Sequence, residues 1–533
     1  MKIAPSSLLR RESHFSSRIV SCFHPRPRTL NQLLKRAYEA NPNGDAIVCG
    51  GERISWAQLR QRVAVLAAGL SAAGVRAGDR VAVMIGNRPE FVIAFFAISQ
   101  LGGVLLPVST RLKGPEVAHS VNDAGAVFLL ADAAYCDQLP ARGDIASVKD
   151  VFVVGNDVPA DARPFLELLS RPALDTVAKP GEEDACAILY TSGTTGRPKG
   201  AVLTQLGVVH SSMVFAHEFE LTYHDRSVAA VPLAHVSGLI GNVTAMVACA
   251  GALVILPEFK AGRFLKLAEA ERITHTLIVP AMYSLMLLEP ELENYDLSSW
   301  RVGASGGAPL PEHVHRQFAQ RVPSLSIVNA YGATETTSPT TIMPRGSMDG
   351  RLDSVGKAVP GCEIIVVDDL GCEVPPGETG EVWIGGPHIV GGYWRNETAT
   401  AESFTAGFWH SGDIGMKDAD GFLYILDRKK DMIIRGGLKI FSSEVESVIA
   451  EFPGIVESAV VSKPCPVLGE RVHCFVYGPA GDISDELRTF LAARLADYKV
   501  PETVSVTPQP LPRNANGKIV KRQLRDRLIN SAS

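Results

Sequence analysis

Between residues 56 and 328 the chain alternates helix-period runs with short strand-like runs, which restricts it to few architectures. Ser55 is a candidate N-cap for a helix whose apolar face is Trp56, Leu59, Val63, Leu66 and Leu70, with Gly74 as its stop. Residues 80–85 read as a strand, 90–101 as a helix and 103–108 as a strand. The pattern returns at 252–256, 263–272, 276–279, 301–304 and 325–328, with further helices starting near Ala281 and Pro311. Such alternation predicts an α/β chain with doubly wound, mainly parallel sheets covered on both faces. From 360 to 427, short strands with Gly, Pro and Asp turns predict a β-rich subdomain. Residues 428–431 form a charged linker, and a small α+β domain follows. There Ser443 and Glu446 fit a capping box opening a helix that runs to Phe452. The expected organisation is a large domain over 29–427 and a small mobile lid over 428–533.

A chain of 533 residues exceeds what one core supports, in line with two domains. A net charge of −5 argues against a broad nucleic-acid footprint. The nine cysteines include no Cys-x-x-Cys pair and suggest a reducing compartment, with a cytoplasmic location as the expectation. Apolar runs at 91–108 and 239–257 approach spanning length. Ser99, Gln100, Gly102 and Gly103 interrupt the first and Asn242, Thr244 and Gly251 the second, so each reads as a buried helix feeding a buried strand, with no transmembrane segment. In residues 1–28, Lys2, Arg10, Arg11, Arg18, Arg26 and Arg28 face one acid, Glu12. A disordered basic leader is the expectation, with an organellar transit peptide as the alternative. The chain is expected to be a monomer or homodimer.

Residues 190–200 read Tyr-Thr-Ser-Gly-Thr-Thr-Gly-Arg-Pro-Lys-Gly, directly after the strand-like run 185–190. Gly193, Gly196 and Gly200 allow close backbone approach to an anion, Thr191, Ser192, Thr194 and Thr195 add hydroxyl donors, and Lys199 adds charge. This is a polyphosphate grip, though not the P-loop, because Arg197 and Pro198 separate Gly196 from Lys199. A surface loop of this composition is the ordinary alternative, and the preceding strand favours the grip. Residues 305–310 and 329–335 follow two further strands, where ligands of open α/β sheets sit. Beside a polyphosphate, Glu335 is best explained as a magnesium ligand.

Six collinear segments carry a resemblance: 190–200, Tyr331-Gly-Ala-Thr-Glu335, His410-Ser-Gly-Asp413, Asp427-Arg-Lys-Lys-Asp431, Gly436-Gly-Leu-Lys-Ile440 and Pro512-Arg-Asn-Ala-Asn-Gly-Lys518. Together they resemble the adenylate-forming superfamily of acyl-CoA synthetases, peptide-synthetase adenylation domains and luciferases, over about 29–528. The resemblance implies that Thr191, Ser192, Gly193, Thr194, Thr195, Gly196 and Lys199 hold the ATP phosphates, and Thr194 and Glu335 the magnesium. It implies that Tyr331 and Gly332 meet adenine on one side and Gly306, Gly307 and Ala308 on the other. It gives Thr334 the α-phosphate, and Asp413 and Arg428 the ribose. His235, Ser237, Gly238, Ser305, Gly306 and Ala333 are implied to line the acid, and Lys518 to neutralise charge at the α-phosphate during adenylation. Gly437 and Lys439 then shape a coenzyme A channel after the small domain turns about Lys430.

The implied reaction is acid activation by ATP with release of pyrophosphate, then acyl transfer to coenzyme A with release of AMP. No Asp lies in 234–237 to pair an amino acid's ammonium, and no Arg in 305–308 or 338–341 to pair a second carboxylate. The small residues suggest a roomy apolar tunnel. A medium- or long-chain fatty acid is the expectation, followed by an aromatic or alicyclic acid, or transfer to a carrier protein. A non-catalytic nucleotide-binding protein is the alternative of a different class.

Overall fold

The structure, a computed structural model, describes residues 8–191, 198–348, 350–478, 481–514 and 518–530. The chain divides into two compact units: Met1–Ile364 with Ile384–Trp409 and Gly421–Leu423, and Ile365–Trp383 with His410–Asp420 and Tyr424–Ser533. The sequence-based boundary at 428 therefore differs from the compact division, which gives stretches of the β-rich region to the second unit.

The first unit contains two doubly wound sheets. In one, Ala185–Thr191, Val104–Pro107, Arg80–Met84, Phe128–Asp132 and Asp150–Val154 lie side by side and parallel, and Lys199–Thr204 adds antiparallel to Ala185–Thr191. In the other, Ser326–Tyr331, Val302–Gly306, His275–Ile278, Arg226–Ala229, Ala252–Ile255 and Asp45–Cys49 run parallel in that order. Helix Trp56–Ala73 forms as its pattern predicts: Ser55 and Gln58 make a capping box, and Gly74 ends it at φ 113°. Helix Pro89–Gln100 is buried on nearly every side, which explains why its sequence is apolar all round. Among the described residues, no helix is long and apolar enough to cross a membrane.

Two expectations are corrected. Residues 8–28 are not a disordered leader: Leu9–His14 and Arg18–Phe23 form an antiparallel hairpin. Cys22 and Val20 pack on Leu206. The Arg26 side chain, 1% exposed, pairs with Glu12 at 2.7 Å and Glu182 at 2.8 Å. The apparent excess of base is thus met partly by an acid far along the chain, which local composition cannot reveal. The Ser443–Glu446 capping box does not form. Helix Ser442–Ile449 instead opens where the Asp427 carboxylate accepts from the Ser442 amide, while Glu446 accepts from Val460 N and pairs with Lys521 at 2.7 Å.

The second unit holds a sheet in the order Leu438–Ile440, Ile433–Arg435, Gly469–Tyr477 and Glu457–Cys465, with Thr503–Thr507 parallel to Gly469–Tyr477. Helices Ser442–Ile449 and Ser484–Ala492 cover it through a core including Ile433, Val445, Val460, Leu487 and Leu491.

Candidate active site

The strands on either side of residues 192–197, the expected polyphosphate grip, pair as antiparallel neighbours. Thr191 faces Lys199 across the last antiparallel pair, and Tyr190 faces Gly200. Ser192, Gly193, Thr194, Thr195 and Gly196 lie outside the described residues. Gly200 is required by packing, because a Cβ there would lie 2.7 Å from Ile188 Cγ2. A segment missed in the sequence pairs along strand Lys199–Thr204: Val202 N donates to Gly392 O (3.0 Å) and Trp394 N to Gly200 O (2.7 Å). Tyr393 is thereby brought beside Lys199, its ring 5.1 Å from Lys199 Nζ. The dipeptide Gly391-Gly392 just before it was the available signal for close backbone approach.

Glu335 is 8% exposed, and its Oε1 accepts from Thr191 Oγ1 at 3.3 Å and from the Tyr393 hydroxyl at 3.1 Å. Burial and then the Glu335 charge push the Tyr393 phenol up, so its hydroxyl stays a donor. Thr191, Lys199, Glu335 and Tyr393 thus form one cluster in the first unit. Gly306 pairs with Ala330 on adjacent parallel strands, so Gly306, Gly307 and Tyr331 occupy neighbouring carboxyl ends, with Ala308 exposed beyond them. Gly307 has φ 84°, which favours glycine. After Tyr331 the chain turns tightly: Thr336 Oγ1 accepts from Ala333 N at 2.9 Å, and Thr337 N donates to Thr334 O at 3.0 Å. Gly332 fits inside this turn, where a Cβ would sit 3.3 Å from Pro339 Cα and Thr340 N.

His235 precedes a π-helix, Ser237–Thr244, which it enters by accepting from Leu239 N at 2.8 Å. π-Turns cluster at functional sites. The room expected from small residues is partly filled. A Cβ on Gly238 would meet Pro232 O at 2.2 Å, and one on Gly241 would meet Leu277 Cδ2 at 2.6 Å. Ser305 and Gly306 are consecutive at the carboxyl end of strand Val302–Gly306, with Ser305 buried and Gly306 half-buried. The Ser305 hydroxyl is buried and has no hydrogen-bond partner. Ala333 stays half-buried in the turn.

The second unit carries the remaining residues. Asp413, 3% exposed, pairs with Arg428 Nε at 2.8 Å, and Arg428 Nη1 donates to Ser411 O at 3.2 Å. Gly437 has φ 84° with open space where a Cβ would point, and Lys439 is exposed, 3.9 Å from Asp369. Lys430 is exposed, and its carbonyl accepts from Arg525 Nη1 at 3.1 Å. Lys518 is exposed, with its amide on Asn514 Oδ1 at 3.0 Å.

A magnesium ion fits Glu335: a buried carboxylate oriented by two hydroxyl donors suits a hard cation that keeps most of its water. Among the described residues, Glu12, His14 and Cys22 also place ligand atoms within 4.8 Å of one another. They suit a metal poorly. Burial pushes the Cys22 thiol up to about 12, and the Glu12 carboxylate is already taken by Arg26 at 2.7 Å.

The sequence matches the AMP-binding enzyme family over residues 34–394 and the AMP-binding enzyme C-terminal domain over 444–518. A feruloyl-CoA synthase of Amycolatopsis sp is 36% identical, over 92% of this chain and 97% of the relative. A long-chain-fatty-acid–CoA ligase of Mycobacterium tuberculosis is 33% identical, over 94% and 98%. The o-succinylbenzoate coenzyme A synthetase of Bacillus subtilis, solved with ATP and magnesium, superposes with TM-score 0.82 at 29% identity, over 93% and 99%. The chain belongs to the AMP-binding enzyme family, in the acyl-CoA synthetase branch of the adenylate-forming superfamily. It is an AMP-forming acid–CoA ligase, whose substrates are a carboxylic acid, ATP and coenzyme A.

Proposed function

We propose that this ligase acts on a mostly apolar aryl or arylalkenyl monocarboxylic acid, with the phosphates of ATP held at the Thr191–Lys199 hairpin mouth. The observation that carries the phosphate site is the convergence of Thr191 and Tyr393 on Glu335 beside Lys199. Bound magnesium would sit on Glu335 and neutralise phosphate charge. Tyr331 and the Gly306–Gly307 edge hold adenine, Thr334 the α-phosphate, and Asp413 with Arg428 the ribose. A carboxylate oxygen of the acid attacks the α-phosphorus as the bond to pyrophosphate breaks, and Lys518 neutralises the charge that builds there. The coenzyme A thiol, losing its proton, then attacks the acyl carbon and AMP leaves. His235 borders the reacting carbonyl in this scheme. Lys430 is the hinge that exchanges Lys518 for the loop carrying Gly437 and Lys439.

The aryl preference is supported by the similarity to a feruloyl-CoA synthase and by the filled space at Gly238 and Gly241. A fatty acid is the second reading, favoured by the Mycobacterium tuberculosis relative. The test is an acid panel of ferulate, cinnamate, octanoate and palmitate, read as pyrophosphate and then as thioester. Ferulate or cinnamate should give the highest kcat/KM. Palmitate ahead of both would overturn the aryl assignment.

A further inference from the structure

In the second unit, strands Ile433–Arg435 and Leu438–Ile440 are joined by Gly436 and Gly437 alone, at φ 57° and 84°. Two left-handed residues suit a tight hairpin turn, yet glycines have the most backbone freedom to lose. Contacts from outside the hairpin restrict that freedom further. Gly436 N donates to Leu468 O at 2.8 Å, and Ile434 N to Glu470 Oε2 at 2.7 Å. Arg435 lies 2.8 Å from Glu502 Oε1 and donates to Tyr498 O at 3.1 Å.

The neighbouring hairpin, whose turn carries Leu468, is bound to the same carboxylate: Arg471 Nη1 lies 3.0 Å from Glu502 Oε2. Arg471 Nε also reaches Cys465 Sγ at 3.0 Å, and that sulfur accepts from Leu468 N at 3.4 Å. Cys465 is 6% exposed, at the last residue before the turn. Glu502 therefore takes one arginine from each hairpin, one on each oxygen. A carboxylate ion-paired with two guanidiniums at once ties both hairpins to a single charge.

We propose that Glu502 is a positioning residue for thioester formation, fixing the Gly436–Gly437 turn through Arg435 and Arg471. The inference rests on the functional reading above, in which this turn shapes the channel for the pantetheine arm of coenzyme A. Cys465 completes the clamp by holding the turn that supplies the Leu468 carbonyl.

Glu502→Gln keeps the shape and removes the charge. It should raise KM for coenzyme A about tenfold while pyrophosphate release without coenzyme A stays within about twofold. An unchanged KM, or equal loss in both half-reactions, overturns the proposal. Should Glu502→Gln fail to fold, Cys465→Ala is expected to give the same split, and Cys465→Ser, which keeps an acceptor, to restore KM. Equal KM in Cys465→Ala and wild type then overturns it. Amide hydrogen exchange at Gly436 supplies a readout independent of activity and should be faster in Glu502→Gln. If the unaltered enzyme forms no thioester from any acid, the functional reading fails, and the exchange rates still decide the clamp.

Discussion

The Tyr393 hydroxyl donates to Glu335 Oε1 across 3.1 Å, although the two residues are 58 positions apart. Tyr393→Phe removes one donor to a charged acceptor, a bond of about 1.5–3 kcal/mol. kcat/KM for ATP should therefore fall roughly ten- to a hundredfold, with some loss of stability beside it. Steady-state kinetics at varied ATP check this, and an unaltered kcat/KM would detach Tyr393 from the site.

Lys518→Ala should reduce adenylation by about 10²–10³-fold. Thioester formation from supplied acyl-AMP should stay largely intact. Single-turnover assays of the two half-reactions separate these outcomes, and parallel loss would refute the division of labour.

Two buried histidines set an acid limit. Burial, the largest cause, lowers His210 from 6.5 to about 4 and His388 from 6.5 to about 3. Below about pH 6.5 the unfolded chain takes up protons that the folded protein refuses. The stability they support is thus complete above that pH and lost on acidification, by up to about 1.4 kcal/mol per pH unit for each histidine. Both ring nitrogens of His388 lack partners. His388→Leu should flatten the fall in urea midpoint between pH 7 and 5, and an identical slope would count against it.

Arg26→Ala leaves Glu12 and Glu182 without their buried counter-ion. It should cost about 3 kcal/mol of stability, measurable by denaturant titration. A neutral result would restore the picture of an inert leader.

Gly238→Ala drives a methyl group onto the Pro232 carbonyl. Loss of stability for every acid is expected, by about 1–3 kcal/mol. If the variant kept its stability and only narrowed its acid range, Gly238 would be lining open space after all.

The alternating core and the family segments were legible because each is local: a capped helix such as Trp56–Ala73, or a glycine-hydroxyl run after a strand. What escaped depends on distance along the chain. Arg26 finds Glu182 156 positions on, so the first residues read as surplus charge. Glu446 looked like a cap partner for Ser443 but is drawn to Val460 N and Lys521. Tyr393 gains its place from hydrogen bonds flanking it, on Val202 and Gly200. Small residues misled in one respect: Gly238 is small for the backbone beside it, and sequence cannot tell such a glycine from one bordering a cavity.

The Ser237–Thr244 π-helix is pinned internally, with Asn242 Nδ2 on Ser237 O at 3.3 Å and Thr244 Oγ1 on Ile240 O at 3.1 Å. Wide turns of this kind hold one residue more than an α-helical turn does. Deleting a single residue there would let the segment relax to α-helix while the side chains after it keep the directions they have now. Loss of one codon would thus reshape the stretch after His235 alone and leave helix Ala245–Cys249 facing as before.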